Sequence, residues 1–293
     1  MRANFIHIET CMIRIHDSHA WHQRPSSPVD ATAAPTAVLD LLTVGEPPMV
    51  DGLQAHWQLL GCDAPTETAT CPWTGQPYRR PMLDDASRFA LQAEPLLARV
   101  DAVIARPASP KVTLLGPVSL LSLCAEARPG GDRLRLLPRL LDVYEALLTR
   151  LAARGVTWVQ LDEPLLSQPL SPAWQQALRE AYGRLGRVDQ PLLMAAGALP
   201  DEDNLALACE LPVAGLQVDA DAPALPQLAR RLPRERELSL ELSRASAPLA
   251  LAREIRALRG GRIWLAQPPG AAAAAQLGAL RRALWREDVR PCR

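Results

Sequence analysis

Lysine is almost absent from this chain of 293 residues: Lys111 is the only one among 32 basic side chains. A phosphate-binding loop or a Schiff-base amine could therefore lie only at position 111, and no glycine-rich loop precedes it. Histidine is nearly as restricted, because all five (His7, His16, His19, His22 and His56) fall in the first fifth of the chain. The six cysteines form no Cys-x-x-Cys pair, and a chain this long and this poor in cysteine needs no disulfide framework. The histidines at 16, 19 and 22 are spaced for a helical metal cluster. However, their surroundings lack helical periodicity and run into Pro25 and Pro28, so no metal site is expected there. The 32 basic residues are balanced by 32 acidic ones, which argues against nucleic acid as the principal partner. There is no unbroken apolar run of about 18 residues, so a membrane span is not expected. The polar, charged first twenty residues do not read as a secretory signal. The chain reads as soluble and cytoplasmic.

What the sequence does contain is a repeated grammar. Residues 1–36 carry Ser-Ser-Pro and Ala-Ala-Pro stretches and read as an irregular N-terminal arm. From residue 37 to 293, short apolar runs alternate with longer amphipathic ones. The strand candidates are Leu39–Gly45, Val112–Gly116, Thr157–Leu161, Pro191–Ala196, Ala214–Val218, Glu237–Leu242 and Arg262–Ala266. An eighth would come from Asn4–Ile8 or Met12–Ile15. Helices are predicted over Asp84–Ile104, Arg133–Arg154, Pro172–Leu185 and Pro248–Leu258. Ser171 would cap the third, and Gly260-Gly261 would end the fourth. Strand–helix alternation with apolar strands implies parallel pairing covered on both faces. Seven or eight such units in one chain of this size predict an α/β fold, a (βα)8 TIM-like barrel with an atypical first unit.

In such a barrel the C-terminal strand ends face the ligand. That filter selects Glu46, Asp162 and Glu163, Asp219 with Asp221 just beyond it, and Glu241. The result is an acidic mouth suited to amine-bearing groups or to a pterin ring. Acidic strand ends also serve as helix caps and arginine partners, and that alternative stands for Asp219 and Glu241. Asp162-Glu163-Pro164 is the sharpest unit. Proline stops the ladder, and strand alternation sends one carboxylate into the mouth and the other towards a loop.

The stretches Gly155-Val-Thr-Trp-Val-Gln-Leu-Asp-Glu-Pro164 and Lys111-Val-Thr-Leu-Leu-Gly-Pro-Val118 resemble the N-terminal barrel of cobalamin-independent methionine synthase. Asp40-Leu-Leu-Thr-Val-Gly-Glu46, Leu59-Leu-Gly61, Leu136 to Tyr144, Trp174 to Tyr182 and Leu211-Pro-Val-Ala-Gly-Leu-Gln-Val-Asp219 follow in the family's order. The resemblance covers roughly residues 37–267. It implies a role in methionine biosynthesis and one-carbon metabolism. The family is a methyltransferase that moves a methyl group from 5-methyltetrahydrofolate polyglutamate to homocysteine, with zinc on His, Cys, Glu and Cys ligands of a second, catalytic barrel. Here Leu193-Met-Ala-Ala-Gly197 stands where a His-x-Cys segment would be, and no histidine follows His56. Methyl transfer by this chain alone is therefore not expected, and no catalytic residue is assigned. Zinc would belong to a separate partner barrel, and the folate would be a small-molecule ligand.

The binding candidates under this resemblance are Glu46, Gln160, Asp162, Glu163 and Asp219, with Trp73 and Tyr78 able to stack on a flat ring. Several departures accumulate. Pro72 replaces the family's lysine before Trp73, Leu242-Ser-Arg-Ala-Ser246 replaces a Gly-Arg-Asn-x-Trp segment, and Ala266-Gln-Pro-Pro-Gly270 replaces Ser-Cys-Ser-Leu-Leu-His. They leave open the alternative of a non-catalytic scaffold or regulatory barrel that has lost folate binding.

Overall fold

The computed structural model describes residues 13–17, 41–45, 50–104, 109–267 and 271–288. Strands β1 (Ile13–Asp17) and β2 (Leu41–Gly45) lead into helix α1 (Val50–Leu59) and a hairpin, β3 (Thr66–Thr70) and β4 (Pro77–Leu83). Helix α2 (Glu94–Ile104), strand β5 (Ser109–Leu115), helix α3 (Pro117–Ser122) and the two-residue β6 (Ala125–Glu126) come next. The rest alternates strictly: α4 (Leu137–Ala153), β7 (Trp158–Asp162), α5 (Pro172–Leu185), β8 (Leu192–Gly197), α6 (Glu202–Glu210), β9 (Gly215–Asp219), α7 (Leu225–Arg231), β10 (Glu237–Glu241), α8 (Pro248–Leu258), β11 (Ile263–Gln267) and α9 (Ala271–Asp288).

Eight strands close a parallel barrel in the order β1-β11-β10-β9-β8-β7-β5-β2, while β3, β4 and β6 form a separate small sheet. The (βα)8 expectation and all seven strand candidates are met. The eighth strand is the Met12–Ile15 alternative, since β1 pairs in register with β11 from Ile13↔Ile263 to Asp17↔Gln267. Asn4–Ile8 lies outside the described residues. Residues 13–17, assigned from sequence to an irregular arm, are thus part of the barrel wall. Their apolar run is broken because β1 alternates Ile13 and Ile15 with Arg14 and His16.

Pro172–Leu185 and Pro248–Leu258 are helical over their expected bounds. Arg133–Arg154 divides into one 3-10 turn, Arg133–Leu136, followed by α4. In α4, Leu137, Leu140, Leu141, Tyr144, Leu147, Leu148 and Leu151 are buried, the stripe expected of a helix lying on a sheet. Two expectations fail. Ser171 occupies the cap position of α5, yet its side chain makes no capping hydrogen bond. The helix predicted over Asp84–Ile104 begins only at Glu94. Its first half is held otherwise: Asp84 accepts from the Ala86 amide and the Ser87 hydroxyl, and Ala90 and Gln92 donate to Leu60 and Leu59 carbonyls. That segment passes so close to the end of α1 that only glycine fits at Gly61, where φ is +58° and a Cβ would lie 1.9 Å from the Ala90 carbonyl oxygen. Gly61 donates to Gln58 and Cys62 to Trp57, closing α1 with a Schellman motif.

The outward faces of the strands pack under the helices in one continuous core that includes Val112, Leu114, Val159, Leu161, Met194, Leu216, Val218, Leu238, Leu240, Ile263 and Leu265. The barrel interior is different. Leu193 and Trp264, with Trp158 against them, form a separate apolar cluster. The Trp158 and Trp264 rings meet edge to face at 4.7 Å, and the Arg14 guanidinium lies 5.3 Å from the Trp264 ring centre. Further along the strands towards their C-terminal ends, the interior positions turn polar.

Candidate functional site

Period-two alternation sets what points inward. Strand β7 presents Trp158, Gln160 and Asp162 to the interior, β9 presents Gln217 and Asp219, and β10 presents Ser239 and Glu241. The register pairs Thr113 with Gln160, Gln217 with Ser239, and Asp219 with Glu241. All of these except Trp158 are almost wholly buried, as is Lys111. The strands are therefore not the uniformly apolar runs that covered sheets usually show. Strands β7, β9 and β10 each carry polar residues two apart on the inner face, ending in a carboxylate at the mouth.

The best-defined part is a linear relay on β5 and β7. The Lys111 ammonium donates to Gln160 Oε1 at 2.6 Å, and Gln160 Nε2 donates to Asp162 Oδ1 at 2.7 Å. The lysine can only donate and the carboxylate can only accept, so the Gln160 amide has one workable orientation. The arrangement couples a buried cation to a buried anion through a neutral amide, which answers the cost of isolating either charge from water. Beside it, the Thr113 hydroxyl is buried with no hydrogen-bond partner among the described residues. Across the interior, Ser239 Oγ approaches Gln217 Oε1 at 3.4 Å. At the rim, Glu241 accepts from the Ser243 hydroxyl at 2.7 Å, and Arg244 pairs with Asp221 at 3.0 Å.

Glu163, one residue past Asp162, takes the opposite direction. Its carboxylate is fully buried against α3, where Oε2 accepts from the Ser119 amide at 2.7 Å and Oε1 from the Val118 amide at 3.3 Å. The Tyr182 hydroxyl donates to Oε1 from α5 at 3.2 Å. Burial pushes the Glu163 carboxyl up to about 7, against the lowering effect of the Ser119, Val118 and Tyr182 donors. The fit is tight, because a Cβ on Gly116 would come within 2.2 Å of Glu163 Oε1. Nearby, the Tyr144 hydroxyl donates to the Leu115 carbonyl at 2.5 Å.

The two carboxylates of Asp162-Glu163-Pro164 therefore separate as strand alternation requires. Asp162 joins Gln160 inside the barrel, and Glu163 ties the strand end to the start of α3. Asp219 and Glu241 sit side by side at the ends of β9 and β10. Glu46 lies outside the described residues. Trp73 and Tyr78 belong to the hairpin region outside the barrel wall. Tyr78 is buried, its hydroxyl donates to the Leu123 carbonyl at 2.5 Å, and burial pushes it up to about 12. Trp73 packs, partly buried, against the core. Lys111 and Thr113 were missed as site residues by the sequence reading. The sequence signal was a lysine in an otherwise apolar strand, which needs a partner; that the partner is Gln160 follows from the pairing of β5 with β7.

At β8, the strand that could mimic the family's His-x-Cys segment, the chain offers only Leu192, Leu193, Met194, Ala195, Ala196 and Gly197, all apolar and all buried. Among the described residues no cluster of three or more His, Cys, Asp or Glu side chains could hold a metal ion. These residues do not fit the metal. Among the described residues, too, no helix is long and apolar enough to cross a membrane.

Comparison with known proteins bears directly on this barrel. The chain is 38% identical over 203 residues to the 5-methyltetrahydropteroyltriglutamate–homocysteine methyltransferase of Vibrio cholerae, an alignment covering 66% of this chain and 26% of that protein. It is 45% identical over 147 residues to the enzyme of the same description from Acidiphilium cryptum, covering 50% of this chain and 19% of that protein. The chain thus spans about a quarter or less of the curated relatives it matches. Two solved structures share the fold at low identity. A methyltransferase from Methanosarcina mazei has a TM-score of 0.63 at 14% identity, covering 86% of this chain and 81% of that one. A B12-independent methionine synthase from Shewanella sp. W3-18-1, in complex with selenomethionine, has a TM-score of 0.56 at 12% identity, covering 86% and 84%. Residues 74–240, which run from the hairpin through the Lys111–Asp162 relay to β10, match the family described as "Cobalamin-independent synthase, N-terminal domain". Since that match takes in more than half of the sequence, this chain belongs to the N-terminal domain family of the cobalamin-independent synthases.

Proposed function

We propose that this barrel works in one-carbon and methionine metabolism in the cytoplasm, holding 5-methyltetrahydrofolate polyglutamate while a zinc-bearing barrel outside these 293 residues carries the homocysteine chemistry. The observation that carries the reading is family membership over residues 74–240. The chemistry of the mouth supports it. A 2-amino-4-oxo pteridine ring presents an adjacent N–H and NH₂, a donor pair that one carboxylate accepts, and Asp162, Asp219 and Glu241 place carboxylates at three strand ends. In the overall reaction the methyl–N5 bond of the folate breaks as a sulfur–methyl bond forms. The thiol has lost its proton, and N5 takes one up as tetrahydrofolate is released. This chain's part is binding and orientation of the donor.

Titration calorimetry with 5-methyltetrahydrofolate triglutamate tests the reading. Micromolar binding that is indifferent to added zinc is the expected result, with Asp162→Asn weakening it. A folded protein that takes up no ligand at millimolar concentration overturns the folate assignment.

A further inference from the structure

We infer that Lys111 is a positioning residue for the barrel mouth: through Gln160 it sets the direction of the Asp162 carboxylate. The first support is geometry. Lys111, Gln160 and Asp162 are joined by two hydrogen bonds of 2.6 Å and 2.7 Å, short enough to be charge-assisted at each end. The second is composition. This sequence uses arginine at every other Lys/Arg position, Arg14 over the interior Trp264 included, yet keeps lysine beside Gln160. An arginine there would bring a larger planar fork of five donors into the buried site, whereas an ammonium is a compact point donor. The third is placement. Lys111 and Gln160 lie below the mouth on adjacent strands, so neither needs to reach a ligand in order to act on it.

The consequence is directional. With its oxygen committed to Lys111, the Gln160 amide turns its NH₂ towards Asp162 and fixes one carboxylate oxygen. The second oxygen then has a defined heading. Loss of the lysine takes away the donor that holds the Gln160 oxygen, and the amide is then held by its bond to Asp162 alone. The device rests on the proposal that Asp162 serves a ligand, and it deepens that proposal by naming what holds the carboxylate in place.

Having a single lysine makes the test clean. In the full chain, lysine labelled with ¹⁵N at Nζ and ¹³C at Cε gives side-chain signals from Lys111 alone. The expected result is that Asp162→Asn moves that signal, that Gln160→Leu moves it and abolishes its further response to Asp162→Asn, and that Asp221→Asn at the rim leaves it unchanged. A Lys111 signal indifferent to Asp162→Asn, or a response that survives Gln160→Leu, overturns the relay. A second measurement uses the folate triglutamate as probe. Lys111→Met, shown folded by its amide spectrum, should weaken binding by about tenfold, as Asp162→Asn does. Unchanged affinity in Lys111→Met overturns the positioning role. If the unsubstituted chain binds no folate while its lysine signal still tracks Asp162, the folate assignment fails and the relay stands.

Discussion

Glu163 gives the structure its most quantitative consequence. Replacement by glutamine keeps the size and one carbonyl oxygen but removes the titration. In the folded chain burial holds this carboxyl at about 7, whereas its ordinary value is 4.5. The folded state therefore binds the proton more tightly than the unfolded chain does. By linkage, stability must fall as pH rises from the ordinary value through the raised one. At 1.36 kcal/mol per pH unit, the full effect is about 3 kcal/mol, present below about pH 4.5 and lost above about pH 7. The groups facing Glu163 do not titrate in this window. Burial raises both Tyr182 and Tyr144 well above their usual range, and the other donors are the backbone amides of Val118 and Ser119 and the Ser119 hydroxyl. Urea unfolding from pH 5 to pH 8 should show the unsubstituted chain losing stability relative to Glu163→Gln by a few kcal/mol. Every other titrating group cancels in the difference. Two curves that run parallel across the window would refute the argument, because Glu163 would then be no more costly to ionise folded than unfolded.

The same contact makes further claims. Gly116→Ala places a methyl group 2.2 Å from Oε1 of Glu163, which already accepts from the Val118 amide and the Tyr182 hydroxyl, so it should lower stability by about 1–3 kcal/mol in denaturant unfolding. Tyr182→Phe removes a donor that favours the ionised carboxylate, and should shift the pH-dependent loss of stability to higher pH, read from the same urea series. Trp264→Ala empties the apolar plug of the barrel and removes the edge-to-face contact with Trp158; about 3–5 kcal/mol should be lost in equilibrium unfolding.

The barrel itself was legible because its outward strand faces and its helices obey simple periodicities. Leu137 to Leu151 of α4 could be read as a buried stripe without any structure, and Pro172 and Pro248 marked two helix starts to the residue. Where the reading failed, local pattern had been overridden by contacts distant in sequence. Asp84 to Ala93 has helical composition, but its backbone is claimed by the Leu59 and Leu60 carbonyls at the end of α1, a contact no window over residues 84–104 contains. β1 was hard to see because Arg14, on its inner face, packs its guanidinium over Trp264 of β11, 250 residues away. The candidate site was legible at its acidic ends and illegible in its support. Asp162 stands out beside Pro164, but Lys111 becomes meaningful only once β5 and β7 are known to be neighbours.

That division explains why Asp162-Glu163-Pro164 draws attention as a single motif while doing two separate jobs. Adjacent residues on a strand cannot share a face, so two carboxylates in succession at a strand end cannot both serve the mouth. Glu163 bonds to the Ser119 and Val118 amides at the head of α3, which follows β5, and Lys111 reaches Gln160 from β5 itself. Both carboxylates therefore depend on the same neighbouring strand–helix unit: one is braced by the helix outside the barrel, the other is aimed by the lysine within it. Gly116 sits between these two supports, and its amide donates to the Asp162 carbonyl at 2.7 Å. The Lys111–Val118 stretch and the Gly155–Pro164 stretch thus belong together physically. A barrel could lose loops around its mouth and keep these two segments, because they hold the strand ends in register before any ligand arrives.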